Sequence, residues 1–110
     1  MVTVETAVVL PVLLLVLVCA VAAVTVVGAQ LRCVDAAREG ARAAARGEAD
    51  AVVAELAGMV APAGAVTAVR PVGDRVRVTV SAEVAPLGPV PLRTRVSAEA
   101  VAVREPGGAP

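Results

Sequence analysis

The apolar and polar positions along the chain fall into three regimes. From Thr6 to Gln30 (TAVVLPVLLLVLVCAVAAVTVVGAQ) there is no charged residue. The stretch Ala7 to Ala29 is apolar on every side, relieved only by Pro11, Thr25 and Gly28. It exceeds the about 20 residues that a helix needs to cross a bilayer's hydrocarbon, so the pattern predicts a membrane helix. Two other readings compete. A buried helix of a soluble protein would need more surrounding chain to wrap it than remains here. A cleaved secretory signal expects a basic n-region and a shorter apolar stretch, whereas MVTVE is acidic. Pro11 removes one backbone donor early in the run and predicts a kink, or an unpaired carbonyl near the interface. Cys19, Ala20, Ala22 and Ala23 would either admit a neighbouring helix closely or simply face lipid.

The second regime, LRCVDAAREGARAAARGEADAVVAELAGMV, has helical periodicity and high helix propensity. Asp35, Arg38, Glu39, Arg42 and Arg46 recur at three- and four-residue steps and form a polar face, with Glu39 and Asp35 in reach of arginines. Ala36, Gly40, Ala43 and Ala44 form a small-residue face suited to close packing against a neighbouring helix. Gly47 predicts a bend or brief break. Beyond it, Ala49 to Met59 reads as a second helix with an apolar stripe of Val52, Val53, Leu56 and Met59, stopped by Gly58 and Pro62-Ala63-Gly64. An unbroken helix from about Val4 to Gly47 would be roughly 65 Å long, half of it projecting beyond the membrane.

In the third regime the period changes from helical to two. Val66 to Val72 reads as a short strand broken by Pro71, and Gly73-Asp74 turns the chain. Arg75 to Val84 alternates cleanly, with Val76, Val78, Val80, Ala82 and Val84 on one face and Arg75, Arg77, Thr79, Ser81 and Glu83 on the other. A proline-rich loop follows (Pro86 to Pro91). Leu92 to Arg104 then resumes alternation, with Leu92, Thr94, Val96, Ala98 and Ala100 on the apolar side. These strands predict a small antiparallel meander, its apolar face covered most simply by the Val52–Leu56–Met59 stripe.

The predicted fold class is therefore α+β and membrane-anchored. A long N-terminal transmembrane helix continues into a soluble amphipathic helix, followed by a three-stranded antiparallel sheet. The expected divisions are 1–30 for the membrane helix, 31–61 for a helical stalk, 62–105 for the β module and 106–110 for a flexible tail.

Composition narrows what such a chain can do. There are 110 residues, 58% of them apolar, and no Phe, Tyr or Trp. A core built from Val, Ala and Leu buries little per residue, so a partner or self-assembly is expected to contribute buried surface. Formal charge is zero, from ten arginines and ten acids, which argues against nucleic-acid binding. With no His and two Cys, no metal site is expected. Neither a phosphate-binding glycine loop nor an activated nucleophile is recognisable, so no enzymatic activity and no cofactor are expected. Cys19 lies inside the apolar run. Cys33, just past it, is either a candidate for an intermolecular disulfide or a buried thiol in a helix interface.

Glu5 is the residue that a plain anchor does not need. It could serve as an N-terminal partner of the helix dipole. Alternatively it is a carboxylate destined for an apolar bundle, where it would need a cationic partner.

Met1-Val2-Thr3-Val4-Glu5 resembles the mature start of type IV pilins and pseudopilins. In these a prepilin peptidase removes a basic leader after a Gly, leaving Glu at the fifth position ahead of an apolar helix. The fuller stretch VTVETAVVLPVLLLVLVCAVAAV, followed by LRCVDAAREGARAAARGE, resembles the TadE-like minor pilins of Tad (tight adherence) secretion systems in their actinobacterial form. The resemblance covers roughly residues 2–48 and leaves out the strands. It implies a pilus or secretion-apparatus subunit supporting adherence or secretion, with Glu5 and the free amine of a neighbour's Met1 as assembly residues. Implied partners are other pilin or pseudopilin subunits and the lipid bilayer. If a leader lies upstream of Met1, the prepilin peptidase and the inner-membrane assembly platform join them. Here the start fits a mature or truncated chain, or a start codon placed too late.

Charge distribution and resemblance pull the topology in opposite directions. Arg32, Arg38, Arg42 and Arg46 follow the span, which by the positive-inside rule favours a cytoplasmic C-terminal side. The resemblance implies the reverse: a single-pass cell-membrane protein, N-terminus cytoplasmic and C-terminus extracytoplasmic, drawn after processing into a surface filament. The competing function is a single-span anchor or interaction subunit, unrelated to pili, whose β module binds a protein partner.

Overall fold

The computed structural model describes residues 2–88 and 90–103. The elements in chain order are helix α1 (Val2–Ala45), helix α2 (Asp50–Val60) and strands β1 (Val66–Val72), β2 (Arg75–Val84) and β3 (Thr94–Val103). The molecule is a rod with a knob at one end, 77 × 20 × 19 Å.

α1 is continuous through the apolar run and Pro11 and on into the charged segment. Pro11 sits early in the helix and exposed, where one lost hydrogen bond does not end it. What does end it is Gly47, at φ 85°. The Glu48 amide donates to the Ala43 carbonyl at 3.2 Å and the Gly47 amide to Ala44 at 3.0 Å. This is a Schellman closure, and it needs a residue that tolerates the left-handed region. The predicted bend is thus a full reversal, and α2 folds back along α1.

β1, β2 and β3 form an antiparallel meander in that order. Val80 pairs with Thr67 on one side and Ala98 on the other. Pro71 does not break β1. It lies within the strand opposite Val76, and because β1 is an edge, the missing amide hydrogen can fall on the unpaired side. Gly73, at φ 63°, supplies the positive φ that a two-residue hairpin turn requires. β3 begins at Thr94, so Leu92 and Arg93 belong to the preceding loop. Arg104 and the tail lie outside the described residues.

The sheet's inner face is the alternation expected of it: Val76, Val78 and Val80 are fully or almost fully buried, with Ala82 and Val96 beside them. Its cover differs in part from the expectation. Leu56 packs half-buried against the core, but Met59 is 73% exposed and Val52 also faces outward, and Val53 and Ala57 are the buried residues of α2. The larger part of the cover is α1 itself, through Cys33, Ala36, Ala37, Gly40, Ala43 and Ala44. These positions recur with helical period, and their small side chains let the helix axis lie close to the valines. Residues 31–61 are therefore no free stalk. They are one wall of the β module, and the core is continuous across the expected division at 61/62.

On the outer face, Arg77 Nε meets Glu99 Oε1 at 3.1 Å and Arg93 Nη1 meets Glu83 Oε2 at 3.5 Å. Both are solvent-exposed cross-strand pairs, which contribute at most about 1 kcal/mol each.

Candidate functional site

The N-terminal half of α1 is built for a nonaqueous neighbour. Every side chain from Thr3 to Val21 is exposed. Its most apolar stretch has a mean hydropathy of 3.1 and none of it is buried in the molecule. A helix apolar all round and covered by nothing in its own chain is not the core helix of a soluble domain. It fits a single-pass membrane protein.

Glu5 lies in the first turn of this helix, exposed. Among the described residues it has no ion-pair partner. Arg42–Glu39, Arg77–Glu99 and Arg93–Glu83 are ion pairs of the fold, and none involves Glu5. Its place at the N-terminal end suits the helix dipole. Met1, the other expected assembly residue, lies outside the described residues.

The remaining predicted residues divide by face. Asp35, Arg38, Arg42 and Arg46 are exposed and Glu39 is half-buried, which makes the expected polar face. Glu39 Oε2 and Arg42 Nη1 are 3.6 Å apart. Ala36, Gly40, Ala43 and Ala44 are buried on the opposite side. The neighbours they pack against are the chain's own sheet and α2. A Cβ on Gly40 would stand 2.8 Å from Val78 Cγ1, so only glycine allows this approach without a shift. Cys33 is a free thiol, fully buried in that same interface. Burial raises its pKa above the ordinary thiol value and keeps it protonated. Of the two readings left open for it, the buried thiol is the one the fold adopts. Among the described residues no group of His, Cys, Asp or Glu is arranged to hold a metal ion.

The module also brings together residues that periodicity does not flag. Gln30, the last residue of the uncharged run, donates from Nε2 to the Ser97 carbonyl of the edge strand β3 at 2.8 Å. This ties the sheet to the end of the membrane helix and satisfies an edge acceptor. β2 runs antiparallel to α1, since Val78 lies against Gly40 while Glu83, Val84 and Ala85 share a hollow with Val24, Gly28 and Arg32. Pro62, just after α2, borders the same hollow. The α2–β1 and β2–β3 loops thus both return to the membrane-proximal end. The one signal for this in the sequence is the absence of any charge from Ala85 to Leu92.

Residues 1–42 match the family described as TadE-like protein. The chain is also similar, at 41% identity over 103 residues, to a Mycobacterium tuberculosis (strain ATCC 25618 / H37Rv) protein named apoptosis inhibitor Rv3655c. The similarity covers 94% of this chain and 78% of that protein. No solved structure matches.

Proposed function

The chain belongs to the TadE-like family, and from that premise we propose that it is a minor pilin or pseudopilin, assembling through its N-terminal helix into a Tad-type pilus or secretion apparatus. The observation that carries this reading is Glu5: a carboxylate at the head of a wholly exposed apolar helix, without an ion-pair partner among the described residues of its own chain.

In the membrane, the carboxylate stays near the interface and water. When the helix joins a bundle of its own kind, Glu5 leaves that environment and its desolvation must be offset by a cation. The free α-amine of a neighbouring subunit, four residues from its own Glu5 along the chain, is a cation at the right depth. Pairing the two sets the axial stagger between subunits. The knob acts as a surface of the assembly. The orientation that suits this role is N-terminus cytoplasmic and C-terminus extracytoplasmic, with prepilin peptidase and the assembly platform as partners where a leader precedes the mature start.

The test compares Glu5→Ala and Glu5→Gln with the unaltered chain, expressed with the assembly machinery. Membrane fractions and sheared filaments are quantified separately. Both variants should reach the membrane at unaltered levels, and their incorporation into filaments should fall by an order of magnitude or more, the loss expected when a buried charge pair is broken. Equal incorporation of Glu5→Ala would refute the assembly role. It would leave the single-span anchor, with the exposed outer face of the sheet as its binding surface.

A further inference from the structure

Five of the knob's exposed large apolar side chains gather at one end, while Val72, Val101 and Val103 lie toward the β1–β2 turn at the other. Met59 (73% exposed) and Val60 end α2, Val66 (65%) opens β1, and Val90 and Leu92 (57%) lie in the β2–β3 loop. All five sit at the end of the knob that meets the apolar half of α1. Two shallow hollows mark this end: one brings Glu83, Val84 and Ala85 against Val24–Arg32, and the other joins Gly64 and Val66 to Arg93 and Arg95. The same hollows are lined by Arg32, Arg93 and Arg95 with a single carboxylate, Glu83, which Arg93 meets at 3.5 Å, so Arg32 and Arg95 carry the excess positive charge. Apolar tips in front of a net-basic collar match the profile of a bilayer interface, where acyl chains give way to phosphate headgroups. The placement also follows from chain geometry. β2 ends level with the last turns of the uncharged run, so its loop continues alongside residues that themselves belong in lipid.

We propose that the membrane-proximal end of the knob is a second membrane contact. The α2–β1 and β2–β3 loops insert their apolar side chains into the phospholipid bilayer beside α1, and Arg32 and Arg95 engage headgroup phosphates. The knob then sits fixed on the membrane surface and does not swing on a stalk, and Gln30 holds the sheet edge at the lipid boundary. This inference rests on the single-pass reading of α1, and its test separates the two.

The full chain, with Cys19→Ala and Cys33→Ala, receives single cysteines at Val90, Met59, Asp74 or Leu14, each labelled with an environment-sensitive fluorophore. The proteins are reconstituted in vesicles of phosphatidylcholine and phosphatidylglycerol at roughly 7:3, an anionic surface of the kind basic collars recognise. Quenching by phosphatidylcholine brominated near the headgroup end of its acyl chains is then measured. Leu14 reports insertion of α1, and Asp74, in the turn at the far end of the knob, reports water. Quenching at Val90 and Met59 should exceed that at Asp74 by roughly threefold or more, as for groups seated at the headgroup–acyl boundary. Quenching at Leu14 with Val90 and Met59 as dark to lipid as Asp74 overturns the loop contact and leaves the anchor standing. No quenching at any position overturns both. Probes at Val90 that respond to protein density but not to brominated lipid overturn it in favour of a second copy covering this surface.

Discussion

Cys33 shows how much a single residue's role depends on the face it occupies. Read along the chain, a thiol just past a membrane span is open to disulfide formation. In the fold it is fully buried under the sheet, and burial raises its pKa. The chain has no His, Tyr or Lys to titrate near the thiol range. The folded state holds the Cys33 proton to higher pH than the unfolded state does. Its contribution to stability is therefore fully present below the unfolded thiol pKa and is lost as pH rises through the folded one. The urea midpoint of the detergent-solubilised protein should be level near pH 7 to 8 and fall from about pH 9 upward. Cys33→Ala should abolish that fall and Cys19→Ala should preserve it. A fall that persists without Cys33 would mean the thiol is not buried as described.

At the scale of elements, the small-residue face of α1 was legible in the sequence, but its occupant was not. Ala36, Gly40, Ala43 and Ala44 announce close packing whatever the neighbour, because a helix with little side-chain bulk on one face can approach anything. On α2 two overlapping apolar stripes satisfy the same period and share Leu56, one running through Val52 and Met59, the other through Val53 and Ala57. Periodicity cannot choose between them. Proximity to Gly40 does: Ala57 Cβ and Val53 Cγ1 lie 3.4 and 3.5 Å from the point a Gly40 Cβ would occupy, which leaves no room for methionine. Gly40→Leu should thus lower stability by about 3 kcal/mol or more, since Val78 is stiff at χ1 and cannot swing aside. Gly58→Ala, which meets nothing within 4 Å, should raise it by about 0.5–1 kcal/mol through helix propensity alone. Urea denaturation of the two variants distinguishes them by sign. A gain in both would place Gly40 outside the interface.

The whole molecule divides differently from its sequence patterns. Composition and period suggest a boundary near residue 61, between helices and strands. The buried residues ignore it, running from Cys33 through Val53 to Val76–Val80 and Val96 as one cluster. The sheet alone would expose its valine face, and a segment of about 40 residues with its core uncovered buries too little surface to hold together in water. Residues 62–103 expressed alone should show no dispersed amide resonances. Residues 24–103, which keep the lower half of α1 and lack most of the apolar run, should show dispersion and a single cooperative unfolding transition. A folded 62–103 fragment would restore the stalk-and-module division.

The sequence by itself determined the elements and their faces. An uncharged run of bilayer length, the glycine that ends α1 and the strict alternation of β2 each act over a few residues, where local sterics and solvation decide the outcome. It also marked Glu5, because a lone carboxylate against an apolar run is unusual on any fold. Only the tertiary structure decided which apolar stripe of α2 turns inward, that α1 roofs its own sheet, and that two uncharged loops meet beside the membrane helix. Those outcomes depend on distances between segments far apart in the chain. They were settled by how closely Val78 can approach Gly40, a quantity that no local pattern of residues contains.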